Sequence, residues 1–566
     1  MELAVSIKTA RMCMEVLGEA GGRLNYVDWQ NTRKRETTMT KINISDIDVS
    51  DIEKVHKVMK ANDEEETSKV HKLLTMLKDP DGKKAANLAE FVTLFKAFLK
   101  ANDNPLLHAT STDLRGIAYL PMSVELVRPE RDRNYFARRD DYVEILLVYN
   151  TKLLQNTYTI TLYLKDLHDS IPSILKRKGL MVPDETMTAN YQKIIKRFEE
   201  YGGMHGEQFL CRGEAPQVSN RNSYWWGGEH SRLDLSNLGK PSKAVLDIDL
   251  QDTTNRYNKQ SMRPTMHSDI YGSNCKVPTH PVLPLFSLLH HKNVWVNVIN
   301  MKKYEYEEDL MDKLVLPKAQ TRLVGALVSN LEALRDENDA DNKSKTIKAK
   351  ASSSVILSKG PAGTGKTLMA EVYSETIKRP MYEVQSGQIG THAEEIEGNL
   401  QTILARAIRL RMPLLINEAD VFIKTRGDDV EQNAIVSVFL RLLEYHNGLV
   451  FLTTNRSEDI DDAILSRCLA EIQFDIPKPS ERRRLWRILL AEFNAALPKS
   501  ELNKAVLSMP EVVGRDIQNL IRLTNRVCKA LDEPFNLEAL QANAAFKSIK
   551  VLSDEELEAA KAARDA

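Results

Sequence analysis

Gly360-Pro361-Ala362-Gly363-Thr364-Gly365-Lys366-Thr367 is the stretch on which the reading of this chain turns. It follows the apolar run Val355-Ile356-Leu357 and opens into a helix-forming segment, so a G-x-x-x-x-G-K-T pattern stands between a strand and a helix. Glycines let the backbone wrap around an anion, with successive N–H groups and the start of the helix aimed at phosphate oxygens. In that arrangement Gly360 to Thr367 and the following Leu368 hold the phosphates of ATP. Lys366 reaches the β- and γ-phosphates, and Thr367 ligates Mg²⁺. The bland alternative is a glycine-rich turn without a ligand, and the strand before and helix after it argue against that.

The chain has 566 residues, too many for one hydrophobic core, and a spacing of about 150 residues per domain suggests three or four units. Net charge is −1 with 28% charged residues of both signs, so no domain-wide basic surface points to nucleic acid or anionic lipid. Nucleic acid is a partner that the charge leaves unsupported. The five cysteines are scattered and never form a C-x-x-C pair, the pattern of reduced thiols in a cytoplasmic protein. No apolar run approaches the roughly 20 residues of a membrane span.

Read in order, residues 1–38 lack a convincing period and a more regular stretch begins at Met39, an alternative start; residues 1–48 together suggest a flexible N-terminal tail. Residues 49–105 carry helical periodicity (Ile52, Val55, Val58, Met59; Leu73, Leu74, Leu77; Phe91, Leu94, Phe95, Phe98) and form a helical unit. Residues 106–300 suggest a β-rich α+β recognition domain, in which the Val143–Val148 and Tyr158–Leu164 runs pair as a hairpin. Within it, Gly202 to Asn237 has loop composition and holds Trp225-Trp226. His205, Cys211, His230, His267, Cys275 and His280 are spread through this region at spacings that match no zinc pattern. Residues 301–345 suggest a helical linker, and 546–566 a C-terminal helix or tail.

From 346 onward apolar strands alternate with helices, the signature of an α/β domain with a parallel sheet. Pro380–Val384, Pro413–Ile416, Leu449–Asn455 and Glu471–Phe474 are the strands after the first. The third ends at Asn417-Glu418-Ala419-Asp420, where a Walker B carboxylate pair normally stands.

Here the chain resembles the AAA+ ATPases over about residues 350–545. Its Asn417-Glu418-Ala419-Asp420-Val421-Phe422 is similar to a Walker B of the form aspartate-glutamate-alanine-aspartate-valine-phenylalanine, and Leu452-Thr453-Thr454-Asn455-Arg456 fits the same subgroup. The resemblance implies an α/β P-loop domain with a five-stranded parallel sheet over 346–478, a small all-α lid over 479–545, and an α+β region before them. It implies that Glu418 orients or deprotonates the attacking water, that Asn455 is the sensor 1 residue, and that Arg467 is an arginine finger acting in a neighbouring subunit. Arg515 stands at the sensor 2 position, reaching the γ-phosphate from the lid. Gln388, Ile389 and Gly390 fall where such rings place a central-pore loop, with Ile389 as the residue that grips a substrate chain; Arg426–Asp429 is a second candidate.

One position departs from the family. Asn417 replaces the usual aspartate, and an amide lacks the charge that holds the water shell of Mg²⁺, although its oxygen still accepts a hydrogen bond. Thr367 and Asn417 are therefore expected to bind Mg²⁺ more weakly than the family does. The function expected is a ring-forming homo-oligomeric ATPase, a hexamer, that remodels or threads a protein client. A nucleic-acid motor with the same core, and a slow or non-hydrolysing nucleotide-gated scaffold, are the alternatives.

Overall fold

The computed structural model describes residues 2–18, 39–44, 49–78, 85–102, 104–110, 117–128, 140–152, 155–217, 232–248, 265–307, 310–316, 354–444, 446, 448–456 and 458–553, with isolated positions at 320, 322, 326 and 555–556. Trp225-Trp226, His230 and most of the expected linker after 316 lie outside them.

Over residues 2–18 and 39–44 the chain forms paired and packed secondary structure, not the flexible tail expected across 1–48. The strand Glu2–Ser6 pairs antiparallel with Met39–Asn43, and the helix Ile7–Leu17 starts at Ser6, whose hydroxyl accepts from Thr9 N. Glu64 receives Ser6 N and the Thr9 hydroxyl, and Glu66 receives Ala4 N. Leu3, Val5, Ala10, Cys13 and Ile42 are fully buried. Two five-residue strands far apart in sequence have little local period, so only their pairing reveals them.

Three helices follow, Val49–Ala61, Thr67–Lys78 and Leu88–Ala101. Their apolar faces share one core with an antiparallel sheet ordered Gln155–Tyr163, Tyr142–Asn150, Ala118–Val127, Leu107–Ala109, Leu180–Met181. The hairpin register sets Ile145 opposite Ile160 and Val143 opposite Leu162, so both pairs point into that core. No core boundary falls at 105/106. A second antiparallel sheet (Lys292–Asn297, Val282–Ser287, Lys240–Leu246, Gln208–Cys211, Met301–Lys303) packs Phe209, Leu283, Leu285 and Val296 against Phe198 and Tyr201 of the helix Glu185–Tyr201. Among the described residues, 106–300 thus hold two large sheets, whose main cores are separate, and two two-stranded ribbons.

The third sheet is parallel throughout, ordered Tyr382–Gln385, Leu414–Asn417, Leu449–Thr454, Ser354–Lys359, Cys468–Gln473. Alternation divides its apolar residues between two faces. Val355, Leu357, Leu414, Ile416, Val450 and Leu452 face the helices Ala393–Arg409 and Val430–Glu444. Ile356, Leu415 and Phe451 face the helix Lys366–Thr376 and, beyond it, Leu314 and Leu316. Four helices, Pro479–Glu492, Lys499–Ser508, Gly514–Leu531 and Leu537–Ala544, close the chain around Trp486, Met509, Ile517 and Leu520. Residues 549–552 lie along this unit, with Leu552 N donating to Ser508 O, rather than forming a helix. Among the described residues no helix is long and apolar enough to cross a membrane.

Candidate nucleotide site

The strand Ser354–Lys359 delivers the chain to Gly360, whose φ of +139° is a glycine conformation; a Cβ there would lie 2.0 Å from Phe474 O. Gly365, at φ +105°, is the N-cap of the helix Lys366–Thr376 and supplies no side chain to its first N–H groups. Those donors open onto a cavity of about 850 Å³ at the carboxyl ends of the parallel strands. A helix start without a capping side chain, facing a cavity, suits a phosphate group.

Lys366 is buried, and its ammonium donates to Gly360 O (2.7 Å), Pro361 O (2.7 Å) and Asn455 Oδ1 (3.0 Å). Burial holds its pKa below the ordinary lysine value, and the charge of Arg515 adds to that. Ala362, Gly363, Thr364, Gly365, Lys366, Thr367 and Leu368 line the cavity. Gly360 and Pro361 do not; they stand behind the loop as acceptors for Lys366.

Asn417, at the end of its strand, is buried. Its Oδ1 accepts from Thr367 Oγ1 (3.0 Å) and Thr453 Oγ1 (2.9 Å), and its Nδ2 donates to the carboxylate of Glu383. The hydroxyl and amide oxygens that meet here are hard donors, the set that Mg²⁺ takes with water and phosphate. Glu418 is exposed to the cavity, at φ +53°, with its N–H donating to Thr453 Oγ1 (3.2 Å). A left-handed glutamate costs about 1–2 kcal/mol and is the kind of local strain that gathers at functional sites. Asn455, just past the end of the neighbouring strand Leu449–Thr454, lines the same cavity. From the C-terminal helices, Arg515 is exposed at the rim, and its backbone N–H donates to Gly363 O (3.2 Å).

The remaining two groups of sequence candidates lie elsewhere. Arg467 is outside this cavity; its guanidinium donates to Ala463 O (3.0 Å) and stands 3.5 Å from Glu444. Ile389 corrects the pore-loop expectation. It is fully buried in the core with Ile396 and Leu400, because the short helix Ser386–Ile389 turns it inward, and its carbonyl is held by Asn399. Gln388 is exposed, and Gly390 sits at φ +123° against Glu395. The exposed side chain of His392, just beyond, meets Glu431 at 2.8 Å, beside the Arg426–Asp429 loop.

Several cavity residues were not among the sequence candidates. Leu314, Val315 and Leu316 form an apolar wall with Leu485, Ile488 and Leu489 of the helical unit; the run Leu314-Val315-Leu316 carried the signal. Glu371, one turn beyond Thr367, also lines the cavity, and burial raises its pKa, with Glu383 as the next cause. The histidines and cysteines of the second region are dispersed: His205 binds Arg409 O at 3.3 Å and His280 stacks on Tyr149 at 3.8 Å. Among the described residues no group of three or more His, Cys, Asp or Glu side chains is placed to hold a metal.

A parallel sheet with this strand order and a lysine-bearing loop at its carboxyl edge define a P-loop nucleotide-binding protein. Residues 356–476 match the AAA family, the ATPase family associated with various cellular activities, so this part of the chain is an AAA domain. It is 28% identical over 222 residues to the human ATPase family AAA domain-containing protein 3B, covering 38% of this chain and 34% of that one. It is 27% identical over 205 residues to a vesicle-fusing ATPase of Caenorhabditis elegans, covering 31% and 25%. The chain therefore spans about a third or less of the length of these relatives. Among solved structures, the AAA domain of FIGL-1 in complex with ADP aligns with a TM-score of 0.34 at 18% identity, covering 46% of this chain and 91% of that chain.

Proposed function

We propose that this protein is a Mg²⁺-dependent ATPase that works as a ring, a homo-hexamer, and uses the nucleotide cycle to remodel a protein client inside the cell. The observation that carries the reading is the convergence of Lys366, Thr367, Asn417, Glu418 and Asn455 on one cavity roofed by Arg515. Lys366 and the helix N-terminus would bind the phosphates, and Thr367 with Asn417 would hold Mg²⁺, whose charge would offset that developing on the transferred phosphoryl group. Glu418 would orient the attacking water, and Asn455, already fixed by Lys366, would align it. Leu314 to Leu316 and Leu485 to Leu489 offer an apolar slot for the base. Arg467 lies outside its own cavity, which suits a finger acting in a neighbouring subunit.

With Ile389 buried, a client would meet the exposed Gln388, Thr391 and His392, a polar surface without the aromatic grip of a strong translocase. Asn417 favours a second reading, in which hydrolysis is slow and nucleotide binding gates assembly. ATP turnover with Mg²⁺ at rising protein concentration separates the two. Turnover per subunit that climbs with concentration and disappears in Glu418→Gln and Arg467→Ala supports the ring enzyme. ATP-driven assembly without turnover refutes it in favour of the scaffold.

A further inference from the structure

Asn417 removes one carboxylate from the Mg²⁺ side of the site, and the structure sets another directly behind it. Glu383 lies on the neighbouring strand, where Gln385 is the register partner of Asn417 and Glu383 that of Leu415. Its side chain points to the same face as the P-loop helix, opposite to the buried Tyr382 and Val384. The carboxylate accepts the Asn417 Nδ2–H, while Asn417 Oδ1 accepts both Thr367 Oγ1 and Thr453 Oγ1.

We propose that Glu383 is a positioning residue that takes over the work of the missing carboxylate: it holds the Asn417 amide oxygen toward Thr367 and Mg²⁺ and returns a negative charge to that side of the site. The inference rests on the nucleotide-site reading above. Two physical effects support it. A flipped amide would set its oxygen against the Glu383 carboxylate and its N–H₂ toward the metal, so Glu383 fixes which end of Asn417 faces the site. A carboxylate on the N–H side also polarises the amide and strengthens its oxygen as an acceptor for a metal-bound water. Glu383 and Asn417 thus act together as one split acidic residue. An aspartate placed at 417 without removing Glu383 would bring two carboxylates into contact, and such a pair does not hold two charges.

The test measures Mg²⁺ binding rather than turnover. Fluorescent methylanthraniloyl-ATP is bound to the full chain and Mg²⁺ is titrated in, with nucleotide affinity in EDTA as the baseline. Glu383→Gln keeps the size and an acceptor for Asn417 and loses only the charge; it should raise the Mg²⁺ half-saturation about tenfold, within the 10–100-fold range of metal-site partners behind the ligands, and leave affinity in EDTA within twofold. Glu383→Ala should raise it further. Glu371→Gln removes a charge from the same cavity without touching Asn417 and should shift it less than twofold. Asn417→Asp alone should bring no gain, whereas Asn417→Asp with Glu383→Gln should restore the wild-type value or better. An unchanged Mg²⁺ response in Glu383→Gln, or an equal shift in Glu371→Gln, overturns the inference while nucleotide binding still stands. If the wild-type chain binds no nucleotide with or without Mg²⁺, the reading of the site fails first and takes the inference with it.

Discussion

Replacing Gly360 with alanine should both destabilise the nucleotide domain and weaken its site, and the structure sets the size of the effect. The new Cβ would stand 2.0 Å from Phe474 O, where ordinary contact begins at 3.4 Å, so a backbone carbonyl must retreat by more than 1 Å. That movement breaks the bond from Phe474 N to Lys359 O (2.8 Å), which joins the first and fifth strands at their carboxyl ends and contributes about 1 kcal/mol. The φ of +139° adds about 1–3 kcal/mol of strain for a residue with a side chain. The sum is about 2–4 kcal/mol, or a fall of about 4–16 °C in the unfolding midpoint of a unit this size. Calorimetry on Gly360→Ala provides the measurement, with Gly398→Ala as the matched control. Gly398 is exposed within a helix, nothing lies near its would-be Cβ, and alanine there should stabilise by about 0.5–1 kcal/mol. Because Gly360 O also holds Lys366, ATP affinity should drop with stability. A Gly360→Ala midpoint within 1 °C of wild type would refute the close approach on which this rests.

Lys366→Ala should weaken ATP binding about 10–100-fold in equilibrium titration, the worth of one hydrogen bond from a charged donor. Glu418→Gln should bind ATP as wild type does and lose about 10²–10⁴ in turnover, the usual contribution of a positioned base, as read by phosphate release. Acid should unfold the N-terminal region first. Burial holds His108 down to about 4 and His280 down to about 3, against an ordinary 6.5, so the unfolded chain takes up these protons before the folded one. Their stabilisation is full above pH 6.5 and is lost as pH falls toward 4, by on the order of 3 kcal/mol for His108. His108→Phe should flatten that pH dependence in calorimetry between pH 7 and pH 4.5, and an unaltered slope would show that His108 is not the group responsible.

The nucleotide domain was legible because its three central strands, Ser354–Lys359, Leu414–Asn417 and Leu449–Thr454, are buried on both faces and read as apolar runs. Fixed spacings then brought Lys366, Thr367, Asn417, Glu418, Asn455 and Arg515 to one cavity. What stayed hidden depended on pairings across the fold. Glu383 has no motif around it and acquires meaning only through the strand that sets it beside Asn417. Ile389 sits in a loop-like stretch, and a single turn of helix decides that it faces Ile396 and Leu400. In the N-terminal half the hairpin was readable from its alternation, but which faces share a core was not. Alternation states that one side of a strand is buried and leaves open what buries it, so one expected β-rich domain became two large sheets with separate main cores.

The way these cores meet determines which seam of the molecule can respond to nucleotide. Val245 and Phe286 of the second antiparallel sheet belong to the same core as Tyr382 and Leu400 of the nucleotide domain. Arg406 lies over the Phe286 ring at 4.3 Å, and Arg409 pairs with the fully buried Asp247. Glu375, at the far end of the P-loop helix, accepts from Lys243 (3.1 Å) and from the Tyr304 hydroxyl (2.8 Å). That helix has eleven residues and so spans about 16 Å, joining the phosphate end of the site to the N-terminal sheet as a single stiff rod. Separating this seam would expose a shared apolar core and break the Arg409–Asp247 ion pair that crosses it. The C-terminal helices differ: their core is drawn from residues 485–551 only, and they meet the P-loop through such contacts as Arg515 N to Gly363 O. Nucleotide with Mg²⁺ should therefore slow amide exchange in 481–489 and 512–516 and leave 243–247 and 282–287 as they were. Exchange that changes first in the N-terminal sheet would place the moving seam on the wrong side of the P-loop helix and refute the rigid coupling.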